Sequence, residues 1–266
     1  MDDLKPSDLN ILLVEPSNAQ SKVIEHELGL EGIHSIDFVS GKEEALHRID
    51  QVCPDLVISS LYFSDGTGLE LLREIRGQIE LEDLPFMLVT SEVRRERLEE
   101  FKQSGVVAIL PKPFNHDNLS RAINATLDFL TPNEIELELF DPETLRVLLV
   151  DDSKLARKVI ARVLNNLGIT DITEAPDGSD AIEILSQKIF DLVVTDYNMP
   201  EVNGRELTEY IRHSDEHSHL PVLMVTSEAN EAHLENIAQS GVNAMMDKPF
   251  EPESVRRILA SILDND

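Results

Sequence analysis

The stretch Asp191–Gly204 reads DLVVTDYNMPEVNG, a short apolar run followed by an aspartate and a loop with proline, asparagine and glycine. Runs of this length between turn residues are typical of strands in a parallel sheet that is buried on both faces. Earlier in the chain, Asp55–Gly68 reads DLVISSLYFSDGTG, which begins and ends in the same way. The later stretch has Asp196 where the earlier one has Ser60. The chain therefore carries one segment twice, with an acid at that point in only one copy.

The repeat extends over both halves of the chain. A shift of 136 positions aligns the halves without an insertion. NILLVEPS (Asn10–Ser17) falls on RVLLVDDS (Arg146–Ser153), and SGVVAILPKPF (Ser104–Phe114) falls on SGVNAMMDKPF (Ser240–Phe250). A period this long indicates two copies of one domain rather than a solenoid of short repeats.

The length of 266 residues is enough for two domains, each with its own core. We predict a first domain at residues 1–130 and a second at residues 145–266. Between them, residues 131–144 read TPNEIELELFDPET, with five acids and no base, which predicts an acidic linker. Its IELELF segment is compatible with an extended strand or with a continuation of the preceding helix.

Each copy alternates short apolar runs with amphipathic stretches. In the second copy the predicted strands are Val147–Val150, Ile169–Glu174, Asp191–Thr195, Val222–Val225 and Val242–Met246. Ile169–Glu174 is the most polar and suits a sheet edge. The first predicted helix has an apolar stripe, with Ser153 as its cap and Gly168 at its end; the stripe is Leu155, Val159, Val163 and Leu167. Five strands alternating with five helices predict a doubly wound α/β fold, with a parallel sheet between helices.

The charge excludes several classes of function. The chain has 51 acidic and 23 basic residues, a net charge of −28, so nucleic acid and anionic membranes are not expected partners. No run approaches the roughly 20 apolar residues of a membrane span. The N-terminus has no secretory signal, so a cytoplasmic location is expected. A single cysteine, Cys53, cannot form an internal disulfide.

Polar residues follow the predicted strands of the second copy. In an open parallel sheet, ligands bind beyond the carboxyl ends of the strands. The residues at those ends are Asp151, Asp152, Asp196, Thr226 and Lys248. Three carboxylates there would repel one another unless a cation neutralised them, and oxygen ligands suit Mg²⁺. A hydroxyl and a lysine beside such an ion would hold phosphoryl oxygens, and a carboxylate among them could accept a phosphoryl group.

Each of these residues has a purely structural interpretation when it is taken alone. The pair Asp151 and Asp152 would serve as a cap for the following helix, Thr226 would cap another, and Lys248 would be a solvated charge. Five such residues on one edge of one sheet favour a functional site instead. A phosphatase would need a second aspartate where Asn198 lies, and a nucleotide-binding loop would need glycines after the first strand.

The second copy resembles the receiver domain of bacterial two-component signalling, of the chemotaxis-regulator type, from Leu145 to Leu263. The resemblance rests on LLVDDS, DLVVTDYNMPEVNG, VLMVTSE and DKPF, which occur in the expected order. It implies a flavodoxin-like sheet and a cis peptide bond between Lys248 and Pro249. It also implies that Asp196 accepts phosphate from a phosphohistidine on a sensor histidine kinase or a histidine phosphotransfer protein.

The resemblance further implies a Mg²⁺ site. Asp152, Asp196 and the backbone carbonyl of Asn198 would hold the ion directly, and Asp151 largely through water. Thr226 and Lys248 would bind phosphoryl oxygens. At the position of the aromatic switch residue on strand five, this chain has Met245, which departs from the family pattern and has no ring to swing.

The first copy departs from the receiver pattern. It has Glu15 and Pro16 at the acid pair and Ser60 at the acceptor position, but retains Thr90 and Lys112. We expect a degenerate receiver, kept for binding rather than phosphotransfer, in which Lys112 pairs with Glu15.

The sequence therefore predicts a response regulator without a separate effector domain, with no catalytic turnover of its own. Its output would be contacts with an unknown downstream protein, with the first domain, or with a second copy of the chain. The alternatives are a phosphorelay intermediate and the receiver portion of a longer regulator. Asn198 and Glu228 are at positions that tune the phosphate lifetime in the family that the chain resembles.

Overall fold

The computed structural model describes residues 4–226 and 241–264. The chain divides into two compact units, Met1–Thr131 and Pro132–Asp266. Each unit has a five-stranded sheet in which all pairs are parallel. The doubly wound α/β fold predicted from the sequence is confirmed in both copies.

The first unit alternates strands and helices along its length. Its strands are β1 (Asn10–Val14), β2 (Ser35–Val39), β3 (Leu56–Ser60), β4 (Phe86–Thr90) and β5 (Ala108–Pro111). Its α-helices are α1 (Asn18–Leu30), α2 (Lys42–Gln51), α3 (Gly68–Arg76), α4 (Arg95–Gln103) and α5 (His116–Leu130). The strand order is β2-β1-β3-β4-β5, so strand order reverses beside β1.

The second unit repeats this arrangement. Its strands are β6 (Arg146–Val150), β7 (Asp171–Ala175), β8 (Leu192–Asp196), β9 (Val222–Thr226) and β10 (Ala244–Asp247), in the order β10-β9-β8-β6-β7. Its described α-helices are α6 (Lys154–Asn166), α7 (Gly178–Leu185), α8 (Gly204–His213) and α9 (Pro252–Leu263). The predicted helix between β9 and β10 lies outside the described residues, and so does Glu228.

The strands of the second unit differ from the predicted ones by one or two residues. β8 begins and ends one residue later than predicted, so Asp196 is its last residue. The reason is the register, since Val193 pairs with Val222 and Asp196 with Val225. β7 is at the edge of the sheet, as its polar sequence predicted.

The core of each unit lies between its sheet and its helices. All five residues of β8 and all five of β9 are buried. On α6 the buried face consists of Ala156, Ile160, Val163 and Leu164. The predicted stripe was therefore partly wrong, because Leu155 and Val159 are only half-buried. Ser153 caps α6 by accepting a hydrogen bond from the Ala156 amide, and Gly168 follows the helix at a φ of 92°.

The predicted linker, residues 131–144, belongs to the second unit except for its first residue. The amide of Ile135 donates to the carbonyl of Leu167 at 3.0 Å, and the Ile135 side chain is buried. The amides of Glu138 and Leu139 donate to the carboxylate of Asp264. The IELELF segment forms neither a strand nor a helix extension.

Candidate functional site

The acids predicted from the sequence meet at the carboxyl edge of the second sheet. Asp151 directly follows β6 and is fully buried, and Asp196 ends the neighbouring strand β8 with 2% of its surface exposed. Asp152 is more exposed. Carboxylate oxygens of the three residues lie within 4.8 Å of one another. The parallel arrangement of β6 and β8 is what places them together.

Lys248 supplies a positive charge to this cluster from the end of β10. Its Nζ lies 2.7 Å from Asp151 Oδ2 and 3.0 Å from Asp196 Oδ1. The Lys248 amide donates to the carbonyl of Thr226 at 2.8 Å, which fixes the lysine beside the end of β9. Thr226 is itself buried. The Lys248–Pro249 peptide bond that follows is cis, as the resemblance implied, and so is its counterpart in the first unit.

The single positive charge of Lys248 does not balance three carboxylates, two of which are buried. Burial raises the pKa of Asp196 to about 7; Lys248 opposes this shift, while Asp151 and Asp152 add to it. Partial desolvation, together with the charge of Asp151, also raises the pKa of Asp152. For Lys248, burial lowers the pKa, but Asp196 and Asp151 outweigh burial and the net shift is upward. The electrostatics therefore favour an added cation.

The donor set fits Mg²⁺. Among the described residues, Asp196 Oδ2 is buried and has no hydrogen-bond partner, whereas Oδ1 faces Lys248. An unsatisfied buried carboxylate oxygen is unfavourable unless a ligand completes it. Carboxylate and carbonyl oxygens are the ligands that Mg²⁺ prefers. Asp151, Asp152 and Asp196 would hold the ion, and the role of the Asn198 carbonyl stays a prediction.

Gly204 keeps the loop after Asp196 close to the strand. A Cβ atom at position 204 would lie 2.1 Å from the carbonyl oxygen of Asp196. The Gly204 amide donates to the carbonyl of Tyr197 at 3.0 Å. Asn203 and Glu206 then start α8 with a capping box. The glycine that closes the motif DLVVTDYNMPEVNG is thus required by a close backbone approach.

Two residues at the site were missed by the sequence reasoning. Arg157, on α6, donates from its guanidinium to the backbone carbonyl of Asp151 and from Nε to Glu174 at 2.9 Å. Asp177 caps α7 and also accepts hydrogen bonds from the loop that follows Asp196. A capping pattern was available for Asp177, but the sequence carries no signal for its second set of partners.

The predicted switch position, Met245, lies on β10 and pairs across the sheet with Met224. It is half-buried rather than enclosed in the core. Its role in transmitting a signal stays a prediction.

The same edge of the first sheet has a different charge. Lys112 Nζ lies 2.9 Å from Glu15 Oε2, and the predicted ion pair is therefore present. The hydroxyl of Ser60 donates to the same carboxylate oxygen, and the Ser17 amide donates to Oε1. Burial favours a higher pKa for Glu15, but the hydrogen bonds from Ser60, Lys112 and Ser17 outweigh it and lower the pKa.

This first-unit cleft has a volume of about 280 Å³ and includes Pro16 and Thr90 in its lining. In this cleft Glu15 is at the position of Asp151. Pro16 and Ser60 replace the other two acids, Asp152 and Asp196. Glu15 and Lys112 neutralise each other, and the further acid in the described lining, Glu92, is paired with Arg94. These two ion pairs leave no excess negative charge for a divalent cation to offset.

Comparison with known proteins identifies the family to which the chain belongs. The sequence model of the response regulator receiver domain matches residues 11–124 and again residues 147–260. Together the two matches cover most of the chain, and the chain belongs to this family. It is a tandem receiver protein of the two-component signalling type.

Among curated relatives, the chain is similar to two chemotaxis proteins. It is 38% identical over 122 residues to chemotaxis protein CheY-3 of Vibrio cholerae serotype O1, which covers 46% of this chain and 94% of that protein. It is 38% identical over 120 residues to chemotaxis protein CheY of Pseudomonas aeruginosa, which covers 45% of this chain and 97% of that protein.

Solved structures include similar chains. One is chemotaxis protein CheY4 of Vibrio cholerae, with 29% identity, a TM-score of 0.42, and coverage of 45% of this chain and 98% of that one. Another is a putative two-component system response regulator/GGDEF domain protein, with 22% identity, a TM-score of 0.41, and coverage of 97% and 100%. Within the described residues, no helix combines the length and the apolar character needed to cross a membrane.

Proposed function

We propose that the second unit accepts a phosphoryl group on Asp196 and that the first unit does not. The observation that carries this proposal is the buried Asp196 carboxylate, which lies among two further acids. One of its oxygens is beside Lys248, and the other has no hydrogen-bond partner in the part of the chain that the structure describes. Ser60, at the matching position of the first unit, is instead engaged with Glu15.

The donor would be a phosphohistidine on a sensor histidine kinase or a histidine phosphotransfer protein. An oxygen of Asp196 forms a bond to phosphorus as the nitrogen–phosphorus bond of the donor breaks, and the imidazole leaves with the electron pair of that bond. Bound Mg²⁺ would offset the charge of the phosphoryl oxygens and of the three carboxylates.

The residues of this chain would prepare the acceptor. With a pKa near 7, Asp196 is partly protonated at neutral pH, and a protonated carboxyl is a poor nucleophile. A cation beside it favours the ionised form. The ammonium of Lys248, at 3.0 Å from Asp196, and the buried hydroxyl of Thr226 would hold phosphoryl oxygens of the product.

The new charge on Asp196 would then act on the surface of the second unit. Phosphorylation shifts an equilibrium between two conformations only if the phosphoryl group is bound differently in each. Lys248 would bind the phosphoryl group differently in the two conformations, because its ammonium already contacts Asp151 and would have to share its hydrogen bonds between Asp151 and the phosphoryl group. The readout would be binding to a downstream protein, to the first unit, or to a second copy.

Stoichiometry separates this proposal from an enzymatic one. The full chain is incubated with acetyl phosphate and Mg²⁺, and bound and released phosphate are followed by intact mass and phosphate assay. We expect incorporation to level off at one phosphate per chain for wild type and for Ser60→Ala, and none for Asp196→Asn. Steady release of phosphate from unrelated phosphoesters, or full incorporation in Asp196→Asn, would contradict the proposal.

A further inference from the structure

The carboxylate of Asp177 joins the start of α7 to the loop that follows Asp196. Its Oδ1 accepts hydrogen bonds from the Ser179 amide at 2.9 Å and from the Val202 amide at 3.1 Å. Its Oδ2 accepts one from the Glu201 amide at 3.0 Å. One buried side chain therefore serves as the cap of α7 and as the acceptor for two consecutive loop amides.

Other contacts hold the same two segments together. The Gly178 amide donates to the Val202 carbonyl at 3.2 Å, and a Cβ atom at position 178 would lie 2.4 Å from that oxygen. The hydroxyl of Ser179 reaches the Glu201 carboxylate at 3.2 Å. The loop is thus fixed at Asp196 on one side and at Glu201 and Val202 on the other.

Tyr197 is held as well, since its carbonyl accepts from the Gly204 amide, so only three residues, Asn198 to Pro200, lie between the fixed points. Asn198 is among them. Because the span is so short, the direction of its carbonyl groups depends on where the Glu201 and Val202 amides are held.

In the first unit, the bridging carboxylate belongs to the loop after β3 rather than to the start of the helix. Gly41 stands where the second unit has Asp177, and Asp65 stands where it has Glu201. The amides of Lys42 and Glu43 donate to Asp65, each at 3.0 Å. A Cβ atom at Gly41 would lie 2.7 Å from the Asp65 carboxylate. A carboxylate bridges the same two segments in both units. In the second unit it lies at the helix start and accepts from two loop amides, whereas in the first it lies in the loop and accepts from the helix start.

The charge state of Asp177 agrees with this role. Burial favours a higher pKa, but the hydrogen bonds from the amides of Ser179, Glu201 and Val202 outweigh it and lower the pKa of Asp177. The carboxylate is therefore ionised at neutral pH and accepts strong, charge-assisted hydrogen bonds.

We propose that Asp177 is a positioning residue for the Mg²⁺ site of the second unit. It holds the backbone of the loop that carries the Asn198 carbonyl, and so sets the geometry of the metal ligands without contacting the ion. This inference rests on the proposed function, since it assigns a role toward the ion that the phosphoacceptor site would bind.

The test uses Asp177→Ser, because serine keeps a good cap for α7 but cannot reach two loop amides as well. Mg²⁺ binding to the full chain is measured by titration calorimetry. We expect the dissociation constant to rise about tenfold, as is usual when an outer partner of a metal ligand is lost. The matched control, Asp65→Ser, removes the equivalent bridge from the first unit and leaves the Mg²⁺ affinity unchanged.

A second readout separates positioning from general damage to the fold. In Asp177→Ser, the Mg²⁺ concentration that gives half-maximal phosphorylation by acetyl phosphate rises, while the rate at saturating Mg²⁺ stays at the wild-type value. Unchanged Mg²⁺ affinity, or a rate that stays low at saturating Mg²⁺, would overturn the inference. Wild type that binds no Mg²⁺ would instead refute the proposed function, and with it the premise of this role.

Discussion

Without a divalent cation, the second unit should lose stability as the pH rises through neutrality. The cause is Asp196, whose pKa in the folded chain is raised to about 7 from an ordinary value of 3.8. A carboxyl with a raised folded pKa binds its proton more tightly in the folded state than in the unfolded state. Its contribution to stability is therefore full below the unfolded pKa and is lost as the pH rises through the folded one.

The two pKa values set the magnitude. Between about pH 5 and about pH 8, linkage predicts a loss on the order of 2–3 kcal/mol from this one group. Asp196→Asn removes the titrating carboxyl while it preserves the size of the side chain. The variant should therefore gain stability relative to wild type by about that amount over the same pH range. Added Mg²⁺ should reduce the difference, because it stabilises the ionised carboxylate of wild type.

The assay is hydrogen exchange of the β8 amides of Val193 and Val194, followed by mass spectrometry of the full chain in EDTA. Exchange in these peptides reports on the second unit. Comparing wild type with Asp196→Asn at each pH cancels the intrinsic pH dependence of exchange. A difference between the two proteins that stays constant over the whole pH range would refute the reasoning, because it would mean that Asp196 has an ordinary pKa in the folded chain.

Three further perturbations follow from the two sites. Glu15→Gln should destabilise the first unit by about 1–3 kcal/mol, because Lys112 loses its buried counter-charge; unchanged hydrogen exchange in β1 and β3 would argue against it. Pro16→Asp combined with Ser60→Asp should rebuild the acid cluster of the first unit. The number of Mg²⁺ ions bound per chain, measured by calorimetry, should then rise from one to two. A value that stays at one would show that the acid cluster alone is insufficient. Gly204→Ala should destabilise the second unit by more than about 2 kcal/mol, because its Cβ would collide with the Asp196 carbonyl. The matched Gly29→Ala on α1 meets nothing within 4 Å and should stabilise slightly; equal effects of the two alanines in thermal unfolding would contradict the steric argument.

Much of the site could be predicted from the sequence because strand ends are easy to read and the fold brings them together. Once β6, β8 and β10 are known to be parallel neighbours or near neighbours, Asp151, Asp196 and Lys248 must meet at one edge. The same logic predicted the ion pair between Glu15 and Lys112, whose positions are related to Asp151 and Lys248 by the repeat.

Other contacts could not be predicted because they join segments whose distance depends on the packed structure. Asp177 reaches amides 24 and 25 positions away, and Arg157 reaches the Asp151 carbonyl through a side chain that would equally suit solvent. The buried face of α6 was also misplaced. Leu155 and Val159 are apolar but only half-buried, and periodicity cannot show which of two adjoining apolar stripes faces the sheet.

The central claim is that the chain has one phosphorylatable receiver and one that is silent. Site mapping tests it most directly: the full chain is treated with acetyl phosphate and Mg²⁺, reduced with borohydride to convert aspartyl phosphate to homoserine, and digested for mass spectrometry. The account predicts homoserine at position 196 and no modified residue in the first unit. Homoserine at another aspartate, phosphate on Ser60, or no modification at Asp196 would contradict it.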